Sequence, residues 1–330
     1  MAKGILERLD DGIVLGDGGY LLELERRGHV QAGPFVPEVS LTRPDALAEL
    51  HREFVGAGVD VIQTLTFYAT EDKMATVGLG GQMDDLNRAA TRIARHVAAE
   101  AEREVLVAGN LSETWAYDTE SPDSHRHVRE LFDRQLTVMN EEGIDFAIAE
   151  TFLWLGEALI AVEAIKDAGL PALVTMTFGN EPISYDGYTP AECARRIADA
   201  GADITGFNCL RSPEHSYRIM AEMREAVPPE VHLATQPVAF HGPSHQPNFT
   251  SLPEFPFELE KITFPRTVMG DFAIKARDLG YGYIGSCCGS VACHVREMAR
   301  ALGKATFEER EWRSESKPMS GYELHQPESS

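Results

Sequence analysis

The 330-residue sequence is poor in basic residues and in cysteine, and each shortage argues against a class of protein. Its 30 Lys and Arg residues are outnumbered by 52 Asp and Glu residues, which gives a formal net charge of −22. Nucleic acids and anionic membranes are bound through clustered positive charge, so neither partner is expected. The five cysteines are odd in number and unevenly spaced, and a disulfide framework is therefore not expected.

Long apolar runs are also missing. No segment is long and apolar enough to span a bilayer, and the first residues, MAKGILERLDDG, lack the apolar core of a signal peptide. Together with the cysteine pattern, this favours a reducing, cytoplasmic location. The hydrophobic fraction of 43% and the charged fraction of 25% are typical of a globular protein with a substantial core.

Short apolar runs alternate with longer amphipathic stretches along the chain. The predicted strands, apolar almost throughout as in a parallel sheet covered on both faces, are 12–17, 59–67, 104–110, 144–150, 171–178, 203–209, 232–240 and 281–288. The predicted helices between them include 44–58, 84–102, 123–143, 190–201 and 212–226.

Eight strand–helix units predict an α/β fold, a (β/α)₈ TIM barrel over residues 1–302, followed by a polar C-terminal tail or short arm over residues 303–330. A doubly wound open sheet is the alternative, but no G-x-G-x-x-G pattern follows the first strand. Residues 241–265 form an insertion longer than a barrel needs, and loops of this length are usually lids or disordered segments.

Three of the five cysteines fall at strand ends. In a TIM barrel the catalytic residues lie at the C-terminal ends of the strands, where Cys209 ends the sixth predicted strand and Cys287 and Cys288 end the eighth. Since neighbouring strands are only about 5 Å apart and a single strand separates the sixth from the eighth, these sulfurs can converge. Three cysteines without an evident fourth ligand favour a catalytic zinc site with an open position. Cysteines that only pack in the core, or a vicinal disulfide, are the alternatives.

Other candidate residues fall at the same strand ends. Asp17, Glu150 and Thr66 end or closely follow predicted strands. A carboxylate at the end of an apolar strand is unfavourable without compensation, so the two acids could bind the ammonium of an amino acid. A turn cap is the alternative for Asp17. Tyr68 and Phe35 could cradle a quaternary ammonium or sulfonium through their π-faces, or could simply pack in the core.

Several motifs, in order and spacing, resemble those of the betaine–homocysteine S-methyltransferases, which belong to the zinc-dependent homocysteine methyltransferase family. They are KGILERL, GIVLGDGG, AGPFVPE, LHREFVGAG, QTLTFYATEDK, GFNC, LPEFPFELE and YIGSCCG. The resemblance runs from about residue 3 to about residue 302. It implies a TIM barrel that transfers a methyl group from an onium donor to homocysteine, giving methionine. It also implies that Cys209, Cys287 and Cys288 hold a catalytic Zn²⁺.

The resemblance further implies roles for individual side chains. Asp17 and Glu150 match the family's homocysteine-binding acids, and Tyr68 matches a tyrosine near the metal and the donor. Asn208, in the family's asparagine–cysteine pair, and Thr66, beside the tyrosine motif, complete the set that we expect to bind substrate.

The sequence departs from the betaine enzymes at two donor-site positions. Phe35 stands where they have tryptophan, and Thr151 stands where they have tyrosine. Glycine betaine is the expected donor, with S-methylmethionine, another betaine or a sulfonium zwitterion as alternatives. This chain stops soon after the barrel, whereas the betaine enzymes continue into a longer dimerisation arm. A homo-oligomer is therefore compatible with the sequence, but the tetramer of those enzymes is not implied.

Two other functions are less favoured. Methylfolate or methyl-corrinoid donors belong to methionine synthases with further domains, and the sequence contains no D-x-H-x-x-G cobalamin motif. A redox protein or a non-catalytic zinc-thiolate protein would not need the amino-acid pocket that Asp17, Glu150 and Tyr68 predict.

Overall fold

The computed structural model describes residues 3–304. The tail or arm predicted for residues 303–330 lies outside this range except for its first two residues, so the predicted domain division stays a prediction. Eight strands are present: β1 Val14–Leu15, β2 Val61–Gln63, β3 Leu106–Ser112, β4 Phe146–Phe152, β5 Ala172–Met176, β6 Ile204–Asn208, β7 His232–Gln236 and β8 Tyr283–Ile284.

Twelve α-helices accompany these strands within the described range. They are α1 Ile5–Asp11, α2 Leu21–Arg26, α3 Val39–Thr42, α4 Pro44–Ala57, α5 Glu71–Ala75, α6 Met83–Glu100, α7 Pro122–Glu141, α8 Leu155–Asp167, α9 Pro190–Asp199, α10 Pro213–Ala226, α11 Arg266–Asp278 and α12 Ala292–Ala301. Four of them begin with proline, which suits the first helical turn because its N–H groups have no intrahelical partner there. Between residues 3 and 304, every helix is too short or too polar to cross a membrane.

The strands form one parallel sheet in the order β1-β8-β7-β6-β5-β4-β3-β2. Its two edges are joined through Asp60: the Asp60 amide donates to the Leu15 carbonyl at 2.8 Å, and the Leu15 amide donates to the Asp60 carboxylate at 2.7 Å. The sheet is therefore a nearly closed barrel. The predicted TIM-barrel fold is confirmed, and the open doubly wound alternative is wrong.

Apolar side chains fill both sides of the strands, as their continuous hydrophobicity predicts. One cluster lies inside the barrel, with Ile5 and Leu9 of α1 packed against it; its strand members are Val14, Val61, Leu106, Ala108, Phe146, Ile148, Leu173, Ile204, Ala234 and Tyr283. A larger cluster lies between the strands and the surrounding helices. The polar ends of the strands thus project from a rigid support.

The insertion at 241–265 is folded onto the barrel. It contains two 3₁₀ turns, Phe249–Ser251 and Leu259–Ile262. Its apolar side chains Phe249, Leu252 and Leu259 are buried in a cluster that includes Cys209 and Phe240. The insertion therefore covers one side of the cysteines, which suits the predicted lid and does not suit a disordered loop.

Candidate active site and metal centre

The three cysteines at the C-terminal end of the barrel converge. The Cys209 and Cys288 sulfurs are 3.7 Å apart, the Cys287 and Cys288 sulfurs are 3.9 Å apart, and all three lie within 4.8 Å of one another. A tetrahedral zinc ion with Zn–S bonds of about 2.3 Å places its sulfurs about 3.8 Å apart. The soft thiolate donors and their spacing therefore fit zinc.

The backbone that presents these sulfurs depends on glycine in two different ways. Gly289 has φ +77°, and a Cβ there would lie 2.4 Å from the Phe240 ring, so both conformation and space require glycine. At Gly285 a Cβ would lie 2.9 Å from Oε1 of Gln236, so close packing is the reason there. The two glycines are thus required for two different physical reasons.

The three converging thiols favour a single negative charge among them. Hydrogen bonds from Cys287 and Cys288 hold the pKa of Cys209 well below its usual range, while the same contacts raise the pKa of the other two thiols. One thiolate among the three is favoured, and further deprotonation is opposed by like charge. A divalent cation would remove this opposition.

Glu150 lies beside the thiols and is held by amide groups. Its Oε1 accepts a hydrogen bond from Asn110 Nδ2 at 2.6 Å, and its Oε2 accepts from Asn208 Nδ2 at 2.9 Å and from Gln236 Nε2 at 3.1 Å. Burial raises the pKa of Glu150 to about 8, with nearby Cys209 and Asp17 adding to the rise. No Lys or Arg within the described residues forms an ion pair with it, so a cationic group of a ligand would find an uncompensated partner.

Asp17 is the second buried carboxylate. Its Oδ2 accepts from the Tyr20 hydroxyl at 2.6 Å and from the Gln63 amide at 2.7 Å, and its Oδ1 accepts from Gln63 Nε2 at 3.2 Å. Burial raises its pKa to about 6 despite these donors. Gln63 also accepts from Asn110 at 2.7 Å, so one hydrogen-bonded network joins Asp17 to Glu150.

Asn208 fixes the segment that follows Glu150. Its Oδ1 accepts from the Thr151 amide and from the Thr175 hydroxyl, both at 2.8 Å, and its Nδ2 donates to the Thr151 hydroxyl at 2.7 Å. Thr66 turns its hydroxyl to the Asn110 carbonyl at 2.6 Å. The polar groups of Asn208 and Thr66 thus form hydrogen bonds within the protein. The predicted contact of these two residues with substrate stays a prediction.

Tyr68 belongs to an aromatic group beside the thiols. Its ring lies 4.4 Å from that of Phe67 and 5.2 Å from that of Trp115, measured between centroids. Burial raises the pKa of Tyr68, and the carboxylate of Glu113 and all three metal-site cysteines add to the rise. Tyr68 therefore lies close enough to the three thiols to interact with them electrostatically, and its predicted role at the metal and the donor stays a prediction.

Strained backbone concentrates here. Six non-glycine residues of the described chain have φ between 49° and 67°: Phe35, Tyr68, Trp115, Thr151, Cys209 and Leu210. Four of them are predicted site residues. Such conformations are unfavourable for residues with a Cβ and cluster at functional sites. The centroid of the Phe35 ring lies 6.3 Å from that of the Phe255 ring in the insertion.

A cavity of about 80 Å³ opens at this site. Its wall contains Gly18, Gly19, Tyr20, Leu21, Gln63, Thr64, Leu65, Phe67, Asn110, Glu150, Thr151, Cys209, Ser286, Cys287 and Cys288. A larger surface cavity of about 230 Å³, beside Phe257 and Glu260, contains none of the three thiols. We assign the site from the chemistry of its wall rather than from its size.

Sequence reasoning missed the amides that support the carboxylates. Gln63 ends β2, Gln236 ends β7 and Asn110 lies in β3. Each is a polar residue at or near the C-terminal end of a barrel strand, so the filter that selected the acids could have found them. Tyr20 and Lys73 carry no such signal, because Tyr20 immediately precedes the short helix α2 and Lys73 lies in the short helix α5, both beyond the strand ends.

Comparison with known proteins agrees with this geometry. The sequence profile of the family described as homocysteine S-methyltransferase matches residues 14–302. Betaine–homocysteine S-methyltransferase 1 of Bos taurus is 44% identical over 311 residues, which cover 91% of this chain and 75% of the bovine protein. S-methylmethionine–homocysteine S-methyltransferase BHMT2 of Pongo abelii is 40% identical over 305 residues, with 91% and 81% covered.

A solved structure supports the fold. The metallated form of the homocysteine methyltransferase MmuM from Escherichia coli superposes with a TM-score of 0.70 at 19% identity, covering 88% of this chain and 96% of that one.

Proposed function

The chain belongs to the homocysteine S-methyltransferase family and methylates homocysteine to methionine, and we propose that it does so with zinc and an onium methyl donor. Cys209, Cys287 and Cys288 would hold the zinc. The observation that carries this proposal is the convergence of their sulfurs at a cavity whose wall also contains Glu150. Zinc would supply an open fourth position at which a thiol loses its proton and remains a nucleophile.

Homocysteine would be oriented by the two acids. Glu150 lies in the cavity wall beside the thiols and has no cationic partner within the described residues. An ammonium group placed against it would favour the charged carboxylate and so lower its raised pKa. Asp17 belongs to the same hydrogen-bonded network through Gln63, so its carboxylate would also help to balance the ammonium of homocysteine. The amides of Asn110, Asn208 and Gln236 keep the Glu150 carboxylate in place.

In the reaction, the homocysteine sulfur attacks a methyl carbon of the donor. The new S–C bond forms as the C–N bond of an ammonium donor, or a C–S bond of a sulfonium donor, breaks. The bonding electrons leave with a neutral amine or thioether, so no general acid is needed there, and the thiol proton passes to solvent. The side chains around the cavity must hold the homocysteine sulfur and the methyl carbon of the donor about 3–3.5 Å apart. Tyr68, Phe67 and the folded insertion would do this and exclude water.

Glycine betaine is our leading donor, with S-methylmethionine as the alternative. Relatives named for each donor match most of the chain. Phe35 packs toward the insertion and Thr151 bonds to Asn208. A smaller aromatic wall and a shorter hydroxyl side chain thus stand at the two positions where the sequence departs from the betaine enzymes.

The test is an incubation of metal-replete protein with homocysteine and each donor in turn: glycine betaine, S-methylmethionine, a sulfonium zwitterion and methylfolate. Methionine and bound zinc are measured together. Cys288→Ala is the test variant, and Cys293→Ala is its matched control because Cys293 is exposed and outside the thiol cluster. We expect methionine from one onium donor, and loss of both zinc and methionine in Cys288→Ala alone.

Other outcomes would contradict parts of the proposal. Full zinc content in Cys288→Ala would rule out the three-cysteine site. Methionine from methylfolate only would rule out the onium donor. Tightly bound zinc without methionine from any donor would leave the cysteines as a metal site and remove the proposed donor chemistry.

A further inference from the structure

Lys73 is a lysine without exposed surface in the short helix α5. Its Nζ lies 3.4 Å from the centroid of the Tyr68 ring and 4.2 Å from the centroid of the Trp115 ring. It also donates a hydrogen bond to the Glu113 carbonyl. A side chain that usually extends into water is here packed against the tyrosine of the candidate site.

Burying an ammonium group is unfavourable unless other groups compensate it. Burial lowers the pKa of Lys73, and the carboxylates of Glu113 and Glu157 oppose that change. The faces of two aromatic rings attract the charged form as well. Lys73 is therefore held by a set of groups assembled around its ammonium, directly behind Tyr68.

The backbone of Tyr68 explains why such support is needed. Tyr68 has φ +63°, a conformation that is unfavourable for a bulky residue. The backbone amide of Tyr68 donates to the Ser112 hydroxyl at 3.1 Å. This bond holds the backbone and does not involve the ring. Three side chains contact the ring: those of Phe67 and Trp115, with centroids 4.4 and 5.2 Å away, and that of Lys73, whose Nζ lies 3.4 Å from the ring centroid and is the cation among the three.

We propose that Lys73 is a positioning residue for methyl transfer, whose ammonium holds the Tyr68 ring in the orientation that places the tyrosine beside the thiols and the donor. This inference rests on the proposed function and specifies how the donor half of the site is built. Lys73 does not touch the reactants and acts through Tyr68. Removing it should affect the reaction with the donor and leave homocysteine binding intact.

The test is a double-mutant cycle with Lys73→Met, Tyr68→Phe and the double variant in the metal-replete protein. Kinetics are measured with whichever donor yields methionine in the incubation described under Proposed function, and the homocysteine Kd is measured by calorimetry without donor. A misplacement of about 1 Å can lower a rate by about 10²-fold, so Lys73→Met should lower kcat/KM for the donor by about 10- to 100-fold. The homocysteine Kd should stay within about twofold, and the Lys73→Met effect should fall below about threefold in the Tyr68→Phe background.

Lys275→Met is the matched control, because Lys275 places its Nζ 3.6 Å from the Tyr217 centroid outside the candidate site and should leave kinetics unchanged. Trp115→Leu is a second variant that does not endanger folding, since Trp115 is 57% exposed. This variant removes one of the two aromatic rings that contact the Lys73 ammonium. It should lower kcat/KM for the donor about threefold or more, again only while Tyr68 is present.

The role of Lys73 is overturned if Lys73→Met retains the donor kcat/KM, or loses the same factor with and without the Tyr68 hydroxyl. It is also overturned if homocysteine affinity falls in parallel, because the effect would then be structural. If Lys73→Met does not fold, an unchanged rate in Trp115→Leu overturns it. Absence of methionine with the unchanged protein is a different failure and contradicts the proposed function itself.

Discussion

Asp60, Asp145 and Asp203 at the N-terminal end of the barrel hold their charge differently from Asp17 and Glu150 at the opposite end. Each of the first three immediately precedes a strand. Its carboxylate accepts a hydrogen bond from a backbone amide of the neighbouring strand at 2.7–2.8 Å. Each also forms an ion pair at 2.8–3.0 Å; the partners are Lys304, Arg95 and Lys166. Their charges are compensated within the protein.

The acids at the C-terminal end are buried and are contacted by amides and a tyrosine hydroxyl alone among the described residues. Burial raises the pKa of Asp17 to about 6 and that of Glu150 to about 8. Carboxylates thus join neighbouring strands and form ion pairs at the N-terminal end of the barrel, whereas the two carboxylates at the C-terminal end have no cationic partner among the described residues. In TIM barrels the N-terminal end serves stability and the C-terminal end serves catalysis.

The largest expected difference between the two ends comes from Glu150→Gln. With a pKa of about 8, Glu150 is mostly protonated in the free protein at pH 7, and glutamine resembles that neutral form. The free energy of unfolding should change by less than about 1 kcal/mol. The variant cannot balance a bound ammonium, so kcat/KM for homocysteine should fall by about 10²- to 10³-fold, the effect of losing one partner of a buried charge pair.

Steady-state kinetics and urea unfolding measure both quantities. Asp145→Asn, at the other end of the barrel, is the matched control and should leave the homocysteine kinetics unchanged. Unaltered kcat/KM for homocysteine in Glu150→Gln would show that Glu150 does not face the ammonium.

The second largest expected effect is a pH dependence of stability that comes from a buried glutamate near the catalytic end. Glu157, buried beside Thr114 near the catalytic end, accepts hydrogen bonds from the Thr114 amide at 2.7 Å and hydroxyl at 2.6 Å, and burial raises its pKa to about 7 from 4.5. A raised carboxyl pKa means that the folded state retains a proton which the unfolded state releases. Stability is therefore lost as pH rises from about 4.5 to about 7.

Glu157→Gln should remove this loss. Its advantage in unfolding free energy over the unchanged protein should be near zero at pH 4.5 and should grow to at most about 3 kcal/mol by pH 7. Urea unfolding across this range measures it, with Glu130→Gln, a change at an exposed glutamate on α7, as the control that should show no such growth. A difference that is constant with pH would argue against a raised pKa at Glu157.

The smallest expected effect lies at the N-terminal end. Asp203→Ala removes the acceptor for the Ala172 amide and should lower the free energy of unfolding by about 1–2 kcal/mol. Asp203→Asn keeps an acceptor oxygen and loses only a partly exposed ion pair with Lys166, so its loss should stay below about 1 kcal/mol. Thermal and urea unfolding compare the two, and kinetics should be unchanged in both. Equal losses would mean that the ion pair, not the backbone hydrogen bond, provides the stabilisation.

Much of the fold could be predicted because its signals are local. All eight predicted strands are present, although most are shorter than predicted. The eighth was predicted over 281–288, whereas only Tyr283–Ile284 form regular ladder pairs. Beyond them the chain still bonds to its neighbour, with Gly285 donating to the Thr235 carbonyl and Cys287 to the Pro237 carbonyl. Apolar runs continue into these irregular segments, so hydrophobicity does not mark where a ladder ends.

The candidate site was predicted in part. Cys209, Cys287 and Cys288 could be assigned to one end of the barrel because strand ends in a parallel barrel share a side. The support of the acids by Gln63, Asn110 and Gln236 was missed, although a polar residue at or near the C-terminal end of a barrel strand is a usable signal. The contact between Lys73 and Tyr68 could not be predicted, since it depends on how α5 and the chain after β3 pack.

The sequence by itself determined the barrel, the end at which its reactive residues lie, and the presence of three thiols at that end. These follow from hydrophobic pattern and residue type, which act over a few neighbours. Only the tertiary structure decided the 3.7–3.9 Å spacing of the sulfurs, the burial that raises the pKa of Glu150, and the cation behind Tyr68. Each depends on atoms far apart in the chain, because distance and desolvation exist only once the strands and loops have packed.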